Sequence, residues 1–176
     1  MSNENKKILF GFDESNHGRD PEFFSLVSSP YLTDAEIVCT KLREPKLLSY
    51  FLPHTERDMR YCVLSREECK RFETQRPIVH VLPFLFSKFS IDREEIDLYI
   101  DGSLRDQEVK LISEKIVSQS RLKRLEIICV PKPKNKARTT NVIALADGVA
   151  NYLFRQGKTN REILPSFLSE RELIFN

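Results

Sequence analysis

The chain has 176 residues, of which 40% are hydrophobic and 31% are charged, with 5 Gly and 9 Pro. This length and composition suit one globular domain and exclude collagen-like, low-complexity and wholly disordered proteins. The 28 Lys and Arg against 26 Asp and Glu leave a net charge of +2, so total charge neither favours nor excludes a nucleic-acid partner.

The opening residues and the cysteines indicate a cytoplasmic protein. Residues 1–7 are polar and lack the apolar stretch of a signal peptide, and no apolar run reaches the roughly 20 residues that cross a bilayer. The four cysteines, at positions 39, 62, 69 and 129, include no Cys-x-x-Cys pair, which argues against a structural zinc site. We expect free thiols and no membrane partner.

Apolar runs and turn residues predict alternating strands and helices. Residues 8–12 form the first predicted strand, which ends in charge at Asp13 and Glu14, and residues 23–27 form a second that can pair with it as a hairpin. Helical spacing over 78–89 is interrupted by Pro83, so we predict a helix beginning near Pro83. The other predictions are helices from residue 35 to before Pro45, over 66–72 behind a Ser65–Glu68 capping box, over 105–119 and over 141–157, and strands over 59–64, 96–101 and 125–130.

This pattern predicts a single α/β domain over residues 1–176, with its core in 8–157 and a C-terminal tail in 158–176 that holds one more helix around Pro165. The helix over 105–119 would bury Val109, Ile112, Ile116 and Val117 on one face. Ala144, Ala146, Gly148 and Ala150 would let the helix over 141–157 pack closely on the sheet.

Acidic residues from distant parts of the chain stand in unusually apolar settings. Asp13, followed by Glu14, and Asp101 each terminate a core strand, and Asp147 lies on an otherwise apolar helix. Taken alone, a strand-end Asp is most often a turn residue and a helical Asp is usually solvated. Converging carboxylates repel one another unless hard cations neutralise them, and Mg²⁺ or Mn²⁺ prefers such oxygen ligands.

These residues resemble the ribonuclease H-like superfamily. The likeness rests on Gly11-Phe12-Asp13-Glu14-Ser15, on Tyr99-Ile100-Asp101-Gly102 and on Leu145-Ala146-Asp147-Gly148. It is closest to microbial ribonuclease H-like proteins of unknown function that open with Asp-Glu-Ser-Gly and close with a Gln-x-Ala-Asp helix, although Asn16 and Ala144 depart from those motifs. Type 2 ribonucleases H are more distantly similar, since Ser15-Asn16-His17-Gly18 replaces their Gly-Arg-Gly turn.

The resemblance implies a central mixed sheet flanked by helices and a site that holds two Mg²⁺ or Mn²⁺ ions. By this likeness Asp13 bridges both ions, Asp101 binds one and Asp147 the other, and Glu14 is a further ligand or an orienting group. His17 could shuttle a proton, although a lone loop histidine is more often solvated. Ile100 to Leu104 also look like a haloacid dehalogenase-type phosphatase loop, but the second Asp which that chemistry requires is missing.

A basic segment precedes the last predicted helix. Between Arg121 and Arg138 seven Lys and Arg face a single acid, Glu126, and four of the seven lie in the loop just before the helix that carries Asp147. These four, Lys132, Lys134, Lys136 and Arg138, are suited to a phosphate backbone. A solvated connector is the alternative interpretation of the same loop.

Together the sequence predicts a metal-dependent nuclease or phosphodiesterase that acts on nucleic acid, whether RNA, DNA or hybrid. The alternative is a catalytically inactive ribonuclease H-like protein that binds nucleic acid or serves as a scaffold, which the departures at Asn16 and Ala144 make plausible. A third interpretation is an interaction module whose acids pair internally with Lys and Arg. The oligomeric state is left open by the sequence.

Overall fold

A computed structural model describes residues 8–15, 20–30, 57–72, 74–91, 94–131, 141–157 and 170–175. The five strands in these ranges are β1 (Ile8–Ser15), β2 (Glu22–Pro30), β3 (Asp58–Leu64), β4 (Glu95–Asp101) and β5 (Arg124–Val130). They form one sheet in the order β3-β2-β1-β4-β5. β2 is antiparallel to β1 and β3, whereas β4 is parallel to β1 and β5, which confirms the predicted mixed sheet.

The helices in the described residues are α1 (Arg66–Lys70), α2 (Ile78–Phe86), α3 (Asp106–Ser118) and α4 (Asn141–Gly157). The predicted capping box is present at α1, where Ser65 Oγ accepts from the Glu68 N–H and Glu68 Oε2 accepts from the Ser65 N–H. No described helix is long and apolar enough to span a membrane. The helix predicted from residue 35 and the one predicted around Pro165 lie outside the described residues.

Strand alternation divides the core between two faces of the sheet. One face, which we call the apolar face, carries Phe10, Phe12, Phe24, Leu98 and Ile100 against α2 and α3. The opposite face, which we call the α4 face, carries smaller clusters of residues against α4. The central strand β1 is therefore covered on both sides, which explains its continuous apolar run.

The prediction of a helix beginning near Pro83 was wrong, because α2 starts at Ile78 and carries Pro83 in its interior. Proline has no N–H, so the carbonyl of Val79 loses its helical partner four residues later. Lys115 Nζ, from α3, donates to that carbonyl at 3.1 Å. The replacement donor comes from a distant part of the chain, and the local sequence around Pro83 does not reveal it.

Three further details differ from the sequence prediction. β1 continues through Asp13 and Glu14 to Ser15, because β2 pairs with it over that length. The exposed fraction of Val117 is 41%, and the buried apolar residues of α3 are Ile112 and Ile116. Residues 170–175, which belong to the predicted tail, lie along β3, where Glu172 forms a parallel bridge to Tyr61.

Candidate functional site

β1 and β4 place two of the candidate carboxylates next to each other. The last parallel pair between these strands joins Phe12 to Ile100, so Asp13 and Asp101 follow at adjacent strand ends. Both have the same parity as Tyr99, which packs against α4 residues. The two aspartates therefore lie on the α4 face, at the carboxyl ends of the parallel strands.

Close packing of α4 on β1 and β2 brings in the third carboxylate. A Cβ on Gly11 would lie 2.3 Å from the carbonyl oxygen of Val142, so only glycine permits this approach. On β2, the buried Ser25 pairs with Asp13 in the sheet register, and its Oγ donates to the Ala146 carbonyl at 2.9 Å. These contacts position the helix one residue before Asp147.

Asp13 and Asp147 share a side-chain hydrogen bond. Asp13 is only 5% exposed, and its pKa is raised to about 8 by burial, then by the charges of Asp147 and Asp101. Burial and the neighbouring charges therefore favour a proton held between the Asp13 and Asp147 carboxyls. A proton stabilises a buried carboxylate cluster that would otherwise repel itself.

The surroundings of Asp147 partly offset this repulsion. Burial raises the pKa of Asp147, whereas the hydrogen bond from Asp13 and then the one from Asn151 lower it. Asn151 Nδ2 donates to Asp147 Oδ1 from one turn further along α4. The positive charge of Arg155 also favours the ionised form of Asp147.

Glu14 is directed away from the three aspartates. As the next residue on β1 it has the opposite parity from Asp13, and its carboxylate lies 3.6 Å from Arg76 Nη2. Its charge acts on the thiol of Cys69, which packs against the core of the apolar face. The structure thus brings Asp13, Asp101 and Asp147 together and places Glu14 on the other side of the sheet.

The remaining predicted site residues lie outside the described part of the chain. These are His17 and the basic residues Lys132, Lys134, Lys136 and Arg138. The described residues end at Pro131, directly after β5, and resume at Asn141, the first residue of α4. The basic segment therefore follows the edge strand β5 in the chain and precedes the helix that carries Asp147.

The donor chemistry of the site suits a hard divalent cation. Three carboxylates supply only oxygen atoms, which Mg²⁺ and Mn²⁺ prefer, and a cation would offset the mutual repulsion of these charges as a proton does. Among the described residues, no group of three or more His, Cys, Asp or Glu side chains is already close enough to hold a metal ion. Asp13 and Asp147 are in contact, so the Asp101 carboxylate would have to come closer for all three to bind one ion.

Sequence reasoning missed Asn151 and Ser25, which hold the residues around Asp147, and Arg76, which contacts Glu14. Asn151 stands four residues after Asp147 on a helix, and Ser25 is a polar residue inside an apolar strand, so both carried a local signal. Arg76 carried none, because its contacts to Glu14 and to the segment after β4 depend on the tertiary fold.

Comparisons with known proteins give matches in structure only. The fold resembles that of ribonuclease H2 from Pyrococcus horikoshii OT3, with a TM-score of 0.59 and 14% identity over 92% of this chain and 80% of that one. A chain of the PCNA–RNase HII complex from Archaeoglobus fulgidus gives a TM-score of 0.52 and 13% identity over 92% of this chain and 82% of that one. No protein-family model matches the sequence, and no curated protein matches it significantly. The structural likeness establishes a ribonuclease H-like fold.

Proposed function

We propose that this protein is a metal-dependent nuclease that hydrolyses phosphodiester bonds of nucleic acid. The observation that supports the proposal is that Asp13 and Asp101 lie at adjacent ends of β1 and β4, and that the charge of Asp147, on α4, interacts with both within a ribonuclease H-like fold. A buried carboxyl with a strongly raised pKa beside two further acids is typical of functional sites, since as a purely structural feature it costs stability. We also propose that the chain is more similar to the microbial ribonuclease H-like proteins with an Asp-Glu-Ser-Gly motif than to the type 2 ribonucleases H.

The three aspartates would hold Mg²⁺ or Mn²⁺. When bound, such ions would activate water and stabilise the leaving oxygen of the phosphodiester. Asp13 would give up the proton it shares with Asp147, so that both side chains become oxygen ligands. Asn151 would keep the Asp147 carboxylate oriented, because it donates to Oδ1 from the same helix.

The basic loop before α4 would provide the phosphate contacts. The chain between β5 and α4 contains four basic residues: Lys132, Lys134, Lys136 and Arg138. β5 is the neighbour of β4, which ends at Asp101, and α4 carries Asp147. The charges of the four basic residues would neutralise backbone phosphates regardless of base sequence. Such contacts fit RNA, DNA or hybrid substrates alike.

One observation favours a second candidate, a nucleic-acid-binding protein that keeps the fold without turnover. Among the described residues the carboxylates do not form a ready three-ligand set, and burial with the neighbouring charges raises the pKa of Asp13. Under this alternative the chain binds nucleic acid and leaves it uncut in every divalent metal.

The deciding experiment measures cleavage of labelled single-stranded RNA, single-stranded DNA, duplex DNA and an RNA–DNA hybrid by the full chain, with Mg²⁺ or Mn²⁺. We expect metal-dependent cleavage of at least one substrate, and a loss of about 100-fold or more in Asp101→Asn because a cation ligand is removed. Without metal, the melting temperature of Asp101→Asn should stay unchanged or rise, since one of several crowded charges is gone.

Asp106→Asn is the matched control, because it makes the same change at an exposed position in the first turn of α3. This variant should cleave like the wild type. An active Asp101→Asn variant would contradict the proposed site. Binding without cleavage by the wild type, on all four substrates and in both metals, would support the second candidate.

A further inference from the structure

Arg76 connects three segments on the apolar face, on the side of the sheet opposite to Asp13 and Asp147. It lies on the apolar face, directly before Pro77 and α2, and its side chain is 42% exposed. Nη1 donates to the carbonyl oxygen of Ser103 at 3.0 Å and lies 3.7 Å from Glu108 Oε2, while Nη2 lies 3.6 Å from Glu14 Oε1. One guanidinium thus bridges the end of β1, the segment after β4 and the first turn of α3.

The segment after β4 directly follows Asp101, the last residue of that strand. Gly102 has a φ of 96°, which turns the chain away from the sheet, and its N–H donates to the Val130 carbonyl at 3.0 Å. Ser103 is then held from the other side by Arg76. The backbone next to Asp101 is therefore fixed between β5 and the guanidinium.

The two glutamates hold the guanidinium in that position. Glu108 is buried, and its Oε2 also accepts from the Arg105 N–H at 2.8 Å, which ties it to the start of α3. Glu14 supplies a second negative charge from the end of β1. The planar guanidinium can satisfy both carboxylates and the Ser103 carbonyl at once, which a lysine ammonium cannot do with the same geometry.

We propose that Arg76, with Glu14 as its counter-charge, is a positioning residue that fixes the segment after Asp101 and so directs the Asp101 carboxylate toward a divalent cation. This inference rests on the proposed function. It assigns Glu14 the role of an orienting group, because its carboxylate faces Arg76 on the side of the sheet opposite to Asp13 and Asp147. Groups that orient metal ligands typically change metal affinity by about 10-fold to 100-fold when they are removed.

The first test measures amide hydrogen exchange on the full chain without metal. In Arg76→Ala we expect the Gly102 amide to exchange about 10-fold faster, since the charge-assisted hydrogen bond to Ser103 is lost. Arg76→Lys, which keeps the charge without the fork, should give a smaller increase and serves as the second variant. The matched control is Arg124→Ala, because Arg124 also lies near two glutamates, Glu95 and Glu126. It is the first residue of β5 and pairs with Glu95, at the end of β4 far from Asp101. This control variant should leave the Gly102 amide protected.

The second test titrates Mg²⁺ and Mn²⁺ and follows the melting temperature in the absence of nucleic acid. Arg76→Ala and Glu14→Gln should each weaken metal affinity by about 10-fold, and the double variant should be no weaker than either single variant. If Glu14 were instead a ligand, Glu14→Gln would weaken binding as much as Asp101→Asn and independently of Arg76, which would overturn the inference.

The two tests separate the inference from the function on which it rests. Unchanged Gly102 exchange in Arg76→Ala overturns the inference whatever the metal does. Faster exchange with unchanged metal affinity overturns the link to Asp101. A wild type that binds neither metal overturns the proposed function and the metal role of Arg76, while the exchange rates still decide whether Arg76 holds the segment.

Discussion

The two faces of the sheet differ in what they bury, although the same strands supply both. The apolar face packs large side chains such as Phe10, Phe12 and Phe24 against α2 and α3. The α4 face buries polar groups among smaller clusters, including the side chains of Asp13, Ser25, Ser29 and Asp97. Burial of apolar area stabilises the first face, whereas buried carboxylates make the second less stable than its area would allow. The apolar face thus contributes most of the stability of the fold, while the buried carboxylates of the α4 face are the cost that the proposed ligand site would carry.

The largest expected effect is a loss of stability on the α4 face as the pH rises without metal. The pKa of Asp13 is about 8 in the folded protein and near 3.8 when unfolded, so the folded state holds its proton more tightly. Its contribution is fully present below pH 4 and is lost as the pH rises through about 8. Each pKa unit corresponds to about 1.4 kcal/mol, so the free energy of unfolding should fall by several kcal/mol over this range.

Melting temperatures between pH 4 and pH 9 in a chelating buffer test this expectation. Asp13→Asn should flatten the profile, and Asp106→Asn, which changes an exposed carboxylate, should keep it. Added Mg²⁺ should raise the melting temperature more at pH 8 than at pH 5, because it competes with the proton on Asp13. A wild-type profile that rises steadily from pH 4 to pH 8 would show that Asp13 ionises easily and that the α4 face bears no such cost.

The next largest effect concerns the close contact between α4 and β1. In Gly11→Ala the new Cβ meets the Val142 carbonyl oxygen at 2.3 Å, and backbone atoms cannot rotate out of the way. We expect a loss of about 3 kcal/mol in the free energy of unfolding, measured by urea denaturation, because α4 must shift. The shift would also move Asp147, so metal affinity should fall with stability.

Gly102→Ala is the comparison variant. Its Cβ would meet nothing within 4 Å, but the φ of 96° would strain an alanine. The expected cost is about 1–2 kcal/mol, from backbone strain alone. If Gly11→Ala costs less than Gly102→Ala, the helix does not depend on the missing Cβ at position 11, and the packing on the α4 face is looser than the structure shows.

Local signals were sufficient for much of this fold. The apolar runs of β1, β4 and β5 and the Ser65–Glu68 capping box depend on neighbouring residues, so the sequence predicts them well. Strand parity could also have separated Glu14 from Asp13, since adjacent strand residues face opposite sides. The likeness to a known superfamily, rather than spacing, supplied the expected roles of the three aspartates, and those roles are still predictions.

Other features depend on contacts between distant residues and carried no local signal. The length of β1 depends on its pairing with β2, the contacts of Arg76 depend on α3 and the segment after β4, and the position of Pro83 within α2 depends on Lys115. Ser103 lies 27 residues from Arg76, and Lys115 lies 36 residues from Val79. A pattern that is read within one turn or one strand cannot include them.

The smallest effect tests the apolar face, where one polar contact compensates for Pro83. Val79 is fully buried, and Lys115→Met would leave its carbonyl without the donor that replaces the missing proline N–H. We expect a loss of about 1–3 kcal/mol in the free energy of unfolding, the usual cost of a buried unsatisfied acceptor.

In a Pro83→Ala background the alanine N–H can bond to the Val79 carbonyl, so Lys115→Met should cost less there. Urea denaturation of the wild type, the two single variants and the double variant gives the coupling directly. Equal costs in both backgrounds would show that Lys115 acts through its other neighbour, His80, whose Nδ1 lies 3.3 Å from Nζ, and that α2 tolerates Pro83 without help.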